Sequence, residues 1–471
     1  MLWAPHRAPV RASADSQQCE GGVVSTDGIG WAATEADRQV PPDLETAGTG
    51  AAGVGSGRIG SGGIASGAGA NAAAGDTRSR PVDPHYREGA VQLALGGGFF
   101  RPESRPSRDL GVLLAGVLPQ LLPDTADLPV LDLMAGCGIR ALRYGIEAGA
   151  QGVWANDADA DRLPVLRRNL SSLAERGCRL RSTAMTAQKL LARCLIAERR
   201  FALVDLDAFG CPTALVPAAL DALSFGGVLY LASTDGRSPT GHDRRAAIRS
   251  LAAAARAHPA SWELALRLQI GVVARAAWAS GRGIRPLFSF SEGRTFRTAI
   301  QLRRRPEPRE EEQLGLLAHC HGCGEQCSQS LLQLRGWPAC SCAPMHRVGS
   351  ARSEAPPSLA VSGPLWLGPL QHSPTLEAMT RRAEGLPAHW LARPSRRLLA
   401  ALLADPGLPA LCWPTAELGR RLGGGPPATE VLLAALQAEG YTALRSGVMA
   451  GQFRCNAPWS RVLELAAALN R

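Results

Sequence analysis

The stretch VLDLMAGCGIRALRYG, residues 130–145, decides the fold of this 471-residue chain. It opens with an apolar run that predicts a strand ending at Asp132, passes through a turn that contains Gly136 and Gly138, and continues with helical spacing. Glycines in such a turn let the backbone approach a ligand, and the N-terminus of the following helix offers free N–H groups. The stretch therefore predicts a nucleotide-binding strand–turn–helix unit.

Apolar runs alternate with helical patterns on both sides of this unit. Strands are predicted at residues 128–134, 152–156, 201–206 and 228–232, and helices at residues 139–148, 159–175 and 213–223. Strand–helix alternation is typical of a parallel sheet covered by helices on both faces. We therefore expect an α/β fold with a Rossmann-like sheet, in a domain that covers residues 83–310.

The second predicted strand ends in Asn156-Asp157, 19 residues after Gly138. An acid at the carboxyl end of the second strand can accept both ribose hydroxyls of an adenosine cofactor. The turn reads A-G-C-G rather than the full G-x-G-x-x-G of dinucleotide enzymes, which favours S-adenosylmethionine over NAD. The alternative role for Asp157 is to cap the helix that follows.

The strand predicted at 201–206 runs into Asp205-Leu206-Asp207-Ala208-Phe209-Gly210. A carboxylate and an aromatic ring on a tight turn at this strand end suit methyl transfer to an exocyclic amine. The carboxylate of Asp207 would accept an N–H and localise the nitrogen lone pair, while Phe209 would stack on the base. The alternative is a capping Asp beside a core Phe.

The basic residues favour a polyanionic partner. The formal net charge is +10, but 50 of the 51 basic residues are arginines, as codon bias in a GC-rich genome would also produce. Eight arginines and two acids lie between Arg282 and Arg309, interleaved with Phe288, Phe290 and Phe296. Arginine side chains donate paired hydrogen bonds to phosphates and stack on bases, so this stretch is a candidate RNA-binding surface.

Five of the twelve cysteines lie close together, at Cys320, Cys323, Cys327, Cys340 and Cys342. Paired thiolates on two short turns can supply four tetrahedral ligands to a structural zinc ion, so Cys320, Cys323, Cys340 and Cys342 are the candidate metal ligands. The alternative is a metal-free remnant of such a site. This usage fits a reducing interior better than disulfides, and it predicts a small Cys-rich module at residues 311–350.

The remaining segments differ in composition. Residues 1–82 predict a disordered low-complexity extension, because the stretch 48–75 is dominated by Gly, Ala and Ser. A Pro-rich linker is expected at 351–375 and an α-rich (α+β) C-terminal domain at 376–471. Neither a membrane span nor a signal peptide is predicted, so we expect a cytoplasmic monomer without a protein partner, or a plastid protein if the extension is a transit peptide.

Several segments, taken together and in order, resemble the tRNA (guanine-26, N2)-dimethyltransferase family over most of residues 88–458. They are GGGFFRPESRPSRDL from residue 96, GIRALRY from 138, VWANDADADR from 153, VDLDAFGCPTALVPAAL from 204, LASTDG from 231, ELALRL from 263, RPLFSFSEGRTFR from 285 and GPLWLGPL from 363. The chain departs from the family pattern where Ala208 replaces a proline of the catalytic turn. It also departs at Ser446-Gly447-Val448-Met449, where the family has a histidine.

The resemblance implies a Rossmann-like class I methyltransferase that transfers one or two methyl groups from S-adenosylmethionine to the N2 amine of a guanine in tRNA, at guanine-26. It makes Arg108 a cofactor contact, brings Arg143 near the cofactor, and puts Thr186-Ala187 where the family has an Asp-Ala adenine contact.

The resemblance also implies that the C-terminal domain helps to hold the tRNA. The family carries C-x-x-C twice, whereas the second pair here is C-x-C, so Cys327 or His346 is an alternative zinc ligand. The alternative functions are an exocyclic-amine methyltransferase acting on another RNA or DNA base, and a catalytically inactive RNA-binding homologue.

Overall fold

The structure, a computed structural model, describes residues 85–121, 127–338 and 359–470. Its first nine strands are β1 (His85–Glu88), β2 (Val91–Ala94), β3 (Pro129–Asp132), β4 (Gly152–Asp157), β5 (Arg179–Ala184), β6 (Phe201–Ala208), β7 (Leu223–Ser233), β8 (Gly283–Glu292) and β9 (Thr295–Arg303). The helices in this part are α1 (Arg105–Leu121), α2 (Ile139–Ile146), α3 (Leu163–Glu175), α4 (Ala187–Ile196), α5 (Val216–Asp221), α6 (Arg244–Leu251) and α7 (Ser261–Ala279). The predicted extension at 1–82 lies outside the described residues.

Seven strands form the central sheet, in the order β5-β4-β3-β6-β7-β9-β8. The five strands from β5 to β7 are parallel, whereas β9 runs antiparallel to both β7 and β8. The α/β class is therefore confirmed and the four strands expected from the sequence are parallel, but β9 and β8, which were not expected, make the sheet mixed. Gly293, at φ 59°, permits the tight turn that joins β8 to β9 and reverses the chain.

Helices cover the sheet on both faces. Residues of α1, α2 and α3 form one core with β3, β4, β6 and β7, including Leu114, Leu142, Leu166, Val130 and Leu203. On the other face, α7 packs against β8 and β9 and contacts α5. This packing holds the carboxyl ends of the parallel strands together at one edge of the sheet, and ligands bind at that edge in folds of this kind.

The next two helices, α8 (Ser373–Gly385) and α9 (Arg393–Leu403), pack against α1. Leu376, Met379 and Leu399 belong to the same hydrophobic core as the central sheet. The boundary expected at residue 376 therefore differs from the structure: α8 and α9 complete the sheet domain, and a separate core begins only near residue 411.

A second sheet has three antiparallel strands, β10 (Leu314–His319), β11 (Gln326–Ser330) and β12 (Ala360–Trp366), with β10 in the centre. Residues expected to be linker at 351–375 thus include β12, which pairs with β10 and packs against α7. The sequence predicted a linker here because the segment is rich in proline, which cannot donate a backbone hydrogen bond to a neighbouring strand.

The C-terminal part forms a small α+β unit. Its elements are β13 (Cys412–Pro414), α10 (Thr415–Leu422), α11 (Thr429–Ala438), β14 (Ala443–Arg445), β15 (Gln452–Cys455) and α12 (Trp459–Leu469). Trp413, Phe453 and Trp459 lie at the centre of its core. The indole rings of Trp413 and Trp459 stack in parallel, with their centroids 5.0 Å apart.

Buried charges join this unit to α7. Glu263 on α7 accepts hydrogen bonds from Arg267 at 2.8 Å and from Arg454 on β15. Arg454 also donates to both carboxylate oxygens of Asp405, at 2.8 and 3.0 Å. No helix in the described ranges is both long enough and apolar enough to cross a membrane.

Candidate active site at the carboxyl ends of the parallel strands

The glycine turn after β3 is open towards solvent on one side and tightly packed on the other. Gly136 and Gly138 adopt φ values of 54° and 84°, which favour glycine. A Cβ atom on Gly136 would meet nothing within 4 Å, whereas one on Gly138 would lie 2.7 Å from Leu166. The turn therefore leaves room for a ligand above Gly136 and lets α2 begin close to α3.

Asp157, at the end of β4, faces this turn. One carboxylate oxygen accepts the N–H of Gly136 at 2.8 Å, and the other accepts the N–H of Asp159 at 3.0 Å. Each carboxylate oxygen has a second lone pair, so Asp157 can still accept two hydroxyl groups. The cap of the helical turn at Ala160–Arg162 is Asp159, which accepts from Asp161 at 3.0 Å, and not Asp157.

Two buried carboxylates lie beneath the cleft. Asp132 accepts the N–H of Ala141 at 3.1 Å, and Asp205 accepts the hydroxyl of Tyr144 at 2.6 Å. Burial raises the pKa of both groups, and for Asp132 the nearby charge of Asp205 raises the pKa further. One oxygen of each carboxylate has no hydrogen-bond partner within the described residues.

Asp207, the carboxylate at the end of β6, is held by two arginines. Arg140 donates to one of its oxygens at 3.1 Å and Arg297 donates to the same oxygen at 2.5 Å, while 30% of the Asp207 side chain stays exposed. Burial alone would raise the pKa of Asp207, but the charges of Arg297 and Arg140 outweigh it and lower the pKa to about 2. Asp207 is therefore an ionised hydrogen-bond acceptor at the mouth of the cleft.

The turn that follows Asp207 is tied to the end of β7. The N–H of Gly210 donates to the Thr234 hydroxyl at 2.7 Å, and the carbonyl of Gly210 accepts the N–H of Thr234 at 3.0 Å and the hydroxyl of Ser233 at 3.0 Å. Ala208 takes the place of a rigid proline, so these three hydrogen bonds supply the constraint on the turn.

Phe209 projects from the turn with 75% of its side chain exposed. It meets Phe99, which is 69% exposed, in an edge-to-face contact with ring centroids 5.1 Å apart. Two large aromatic side chains left in solvent beside a carboxylate are a ready stacking surface for a planar ligand. A core position for Phe209, the alternative drawn from the sequence, is wrong.

Comparisons with known proteins agree with this geometry. A model of the N2,N2-dimethylguanosine tRNA methyltransferase family matches residues 93–467. The chain belongs to this family. The tRNA (guanine(26)-N(2))-dimethyltransferase of Methanosphaerula palustris is 31% identical over 379 residues, which cover 79% of this chain and 91% of that protein. The protein of the same name from Pyrococcus horikoshii is 27% identical over 383 residues, which cover 78% and 91%.

A solved structure of Trm1 from Pyrococcus horikoshii in complex with S-adenosyl-L-methionine is also similar. It matches this family member with a TM-score of 0.67 and 25% sequence identity, and the match covers 81% of this chain and 99% of that chain. The family expected from the sequence motifs is confirmed.

The arginines that the family resemblance indicated have other contacts in this structure. Arg108 forms a buried two-pronged ion pair with Glu88, at 2.8 and 2.6 Å. Arg143 is buried among Glu88, Asp109 and Glu147, at 2.7 to 2.8 Å. These contacts fix β1 and α1 against α2 and give Arg108 and Arg143 structural partners, while their expected place near the cofactor stays a prediction.

Thr186 and Ala187 lie at the start of α4. Thr186 is exposed, and its hydroxyl caps the helix by accepting the N–H of Lys189 at 3.4 Å, while Ala187 is buried. Asn156, next to Asp157, orders this edge by donating to the carbonyls of Leu133 and Met185, at 3.1 and 2.8 Å.

The described half of the cysteine cluster is a tight turn. The N–H of Gly324, at φ 86°, donates to the carbonyl of Cys320 at 2.8 Å, and Cys323 lies on the same turn. Cys327 follows on β11, where burial raises its pKa to about 11. Cys340, Cys342 and His346 lie outside the described residues, and within those residues no group of three or more His, Cys, Asp or Glu side chains is placed to hold a metal ion.

Reasoning from the sequence missed three side chains of this family member's cleft: Arg140, Arg297 and Phe99. Arg140 lies in the quoted stretch 130–145, three residues before Arg143. Residues three apart lie on nearly the same side of a helix, so the spacing does not show which arginine faces the cleft. Arg297 lies in the arginine-rich stretch that was interpreted as an RNA surface, yet it is buried. Sequence spacing alone does not distinguish these arginines from their neighbours.

Proposed function

We infer that this chain transfers one or two methyl groups from S-adenosylmethionine to the N2 amine of a guanine in tRNA, at guanine-26. The observation that carries this inference is the arrangement at the end of β6: an ionised Asp207 fixed by two arginines, with the exposed ring of Phe209 two residues away. Family membership supports the substrate, and the position of guanine-26 follows from the names of the relatives.

The cleft residues fit an adenosine cofactor. Asp157 keeps free lone pairs for the ribose hydroxyls, and Gly136 leaves open space at the N-terminal end of α2. When bound, S-adenosylmethionine supplies an electrophilic methyl group on a positively charged sulfur. The buried carboxyl groups of Asp132 and Asp205 lie below this turn, where burial raises the pKa of both and so disfavours their charged forms.

Asp207 prepares the amine for reaction. The lone pair of an exocyclic amine is delocalised into the purine ring, which makes the nitrogen a weak nucleophile. A carboxylate that accepts one N–H of this amine favours a geometry in which the lone pair is localised on nitrogen. Phe209, stacked on the flipped base, would fix the angle between the amine and the incoming methyl group.

The low pKa of Asp207 limits its part in proton transfer. As the new N–C bond forms, the nitrogen becomes positively charged and must lose a proton. Asp207 stabilises that charge through its hydrogen bond, but a carboxylate with a pKa of about 2 is too weak a base to keep the proton at neutral pH. The proton therefore passes on to solvent, and Asp207 returns to its ionised form for the next methyl group.

Methyl transfer can be tested directly with a purified chain. An unmodified tRNA transcript with guanine at position 26, and the same transcript with adenine there, are incubated with S-adenosylmethionine labelled in its methyl group. We expect label only in the guanine transcript, and nuclease digestion should release N2-methylguanosine or its dimethyl form. Equal labelling of the adenine transcript, or label at another atom of the base, would contradict the proposal.

We further propose that Cys320 and Cys323 supply half of a structural zinc site, completed by Cys340 and Cys342, with Cys327 or His346 as the alternative. Two thiols on one glycine-ended turn suit tetrahedral zinc. The same turn docks on the C-terminal unit, because Trp413 and Trp459 donate to the carbonyls of Gly324 and Cys323, each at 2.9 Å.

Removal of these thiols tests the zinc proposal. Cys320→Ser combined with Cys323→Ser should release about one zinc per chain and lower the melting temperature, because structural zinc contributes folding free energy. We expect affinity for tRNA to fall more than affinity for S-adenosylmethionine, since the turn contacts the C-terminal unit. Metal analysis that finds no zinc in the intact protein would refute the site.

A further inference from the structure

An open basic pocket lies beside the catalytic turn. Its cavity volume is about 130 Å³, and its walls include Arg237, His242, Trp262 and Arg294. These residues come from the loop after β7, the first turn of α7 and the turn between β8 and β9. The pocket is outside the cofactor cleft and contains none of the residues assigned above to catalysis.

Both walls of the pocket are connected to the catalytic turn. The loop wall begins at Gly236, two residues after Thr234, which hydrogen-bonds Gly210 of the turn in both directions. On the other wall, Arg294 precedes Arg297, the partner of Asp207, by three residues. Because a strand rises about 3.3 Å per residue, the backbone of Arg294 lies roughly 10 Å along the chain from that of Arg297, which places this wall close to the catalytic turn.

The pocket carries uncompensated positive charge. Arg237 and Arg294 are exposed, and within the described residues neither guanidinium pairs with a carboxylate. Three acids close in sequence to these arginines accept backbone N–H groups: Asp235 accepts those of Arg237 and Ser238, both at 3.0 Å, Asp243 caps α6 through the N–H of Ala246 at 2.9 Å, and Glu292 accepts that of Ser107 at 2.9 Å. Free guanidinium groups are preferred ligands of phosphate.

An aromatic side chain accompanies these charges. Trp262 is half-buried, and its indole N–H has no hydrogen-bond partner in the part of the chain that the structure describes. Guanidinium groups beside an aromatic ring suit a nucleotide. The guanidinium groups can donate paired hydrogen bonds to the phosphate, and the ring can stack on the base.

The loop that forms the pocket is held in shape by its own hydrogen bonds. The Thr240 hydroxyl donates to the carbonyl of Gly236 at 2.8 Å, and the N–H of His242 donates to the carbonyl of Arg237 at 3.0 Å. Gly241 packs so closely that a Cβ there would lie 2.4 Å from the carbonyl carbon of Arg256. A preformed site of this kind loses less conformational entropy when it binds.

We propose that this pocket binds the tRNA strand next to the target guanine, with Arg237 and Arg294 on a phosphodiester and Trp262 against a neighbouring base. The assignment rests on the proposed function, since it requires tRNA at the catalytic turn. The pocket then holds the strand on one side of the flipped nucleotide, while Phe209 and Asp207 hold the base itself.

The double variant Arg237→Gln with Arg294→Gln tests this assignment. Its affinity for a tRNA transcript should fall by on the order of 10-fold at physiological salt, and the slope of log affinity against log salt should lose about 1 in magnitude, because one phosphate is no longer neutralised. The KM for tRNA should rise while kcat at saturating tRNA and the affinity for S-adenosylmethionine stay near wild type. The matched control is Arg167→Gln with Arg168→Gln, which removes the same charge from the exposed side of α3, a helix that contacts β5 at the opposite edge of the sheet.

The possible outcomes separate this inference from the proposed function. If the wild-type chain methylates tRNA but the pocket variant keeps its affinity and salt slope, or loses no more than the control, the pocket assignment is overturned. If the wild-type chain neither binds nor methylates tRNA, the proposed function fails instead. A selective loss in the pocket variant, at unchanged melting temperature, supports the assignment.

Discussion

At the residue scale, the activity depends on how four charged side chains share one small volume. Arg140 and Arg297 both donate to Asp207, and Arg140 also lies 3.4 Å from Asp205. Of the two aspartates, only Asp207 reaches the surface of the cleft. The arginines therefore fix both the charge and the direction of the one carboxylate that can meet a substrate.

Asp207→Asn keeps the shape of the side chain and removes its charge. We expect the rate of methyl transfer in single-turnover assays to fall by on the order of 100- to 10,000-fold, because the charge acts on the amine as the methyl moves. Affinity for S-adenosylmethionine should change little. Phe209→Ala should instead weaken tRNA capture, by roughly 1–3 kcal/mol for a lost stacking partner. Near-normal turnover in Asp207→Asn would reduce the residue to a structural cap.

Arg297→Gln should make the rate sensitive to acid. In the wild type, the lowered pKa keeps Asp207 ionised far below neutral pH, so its charge is constant between about pH 5 and about pH 8. Without Arg297, only Arg140 opposes the effect of burial, so the pKa of Asp207 rises from its wild-type value and protonation increases as the pH falls. The ratio of variant to wild-type single-turnover rate should therefore decrease from about pH 8 to about pH 5. Arg297→Lys, which keeps a charge, is the control, and a pH-independent ratio for Arg297→Gln would contradict this account.

At the element scale, the C-terminal unit is anchored by charges that are buried against α7. Asp405→Asn removes the carboxylate that accepts two hydrogen bonds from Arg454, and it leaves two buried guanidinium groups, those of Arg454 and Arg267, to share the single charge of Glu263. We expect the free energy of unfolding to fall by roughly 3–5 kcal/mol, measured by chemical denaturation. The control, Glu439→Gln, removes the partner of Arg461 from an exposed ion pair and should have little effect. Equal effects of the two substitutions would show that the buried pair is not an anchor.

The strands that the sequence predicted are those whose residues are mostly apolar. Strands β3, β4, β6 and β7 are buried on both faces, so their composition alone indicates them. Strand β5, with the sequence RLRSTA, lies at the sheet edge with half-buried side chains and carries no such pattern. The hairpin of β8 and β9 was interpreted as a surface because its arginines dominate the composition, although Arg297 turns inward onto Asp207.

The residues of the candidate site also fall into those that the sequence predicted and those that only the structure shows. Asp157, Asp207 and Phe209 lie at or just after the carboxyl ends of parallel strands, and these ends meet at one edge of the sheet. Their positions in the sequence therefore suffice to predict that they lie close together. Arg140 and Arg297 reach the site from a helix face and from an antiparallel strand, so only the packed structure shows which of many arginines arrive there. Phe99 lies before α1, and no local pattern ties it to Phe209.

At the scale of the whole molecule, the site requires the sheet domain and the units packed onto it, all of which lie after residue 84. Residues 1–82 contribute no motif and have the composition of a disordered chain. A shortened chain that begins at Asp83 should keep the melting temperature and the methyl-transfer rate of the full chain. A large loss of either, with zinc content unchanged, would mean that the extension supports the fold or the substrate.

The most direct measurement of the central claim is mass spectrometry of the nucleosides in tRNA from a host strain that lacks this protein. We expect N2-methylguanosine or N2,N2-dimethylguanosine at position 26 to disappear, and to return when wild-type protein is restored but not when Asp207→Asn is supplied. Unchanged guanosine modification, or the loss of a methylated adenosine instead, would contradict this claim.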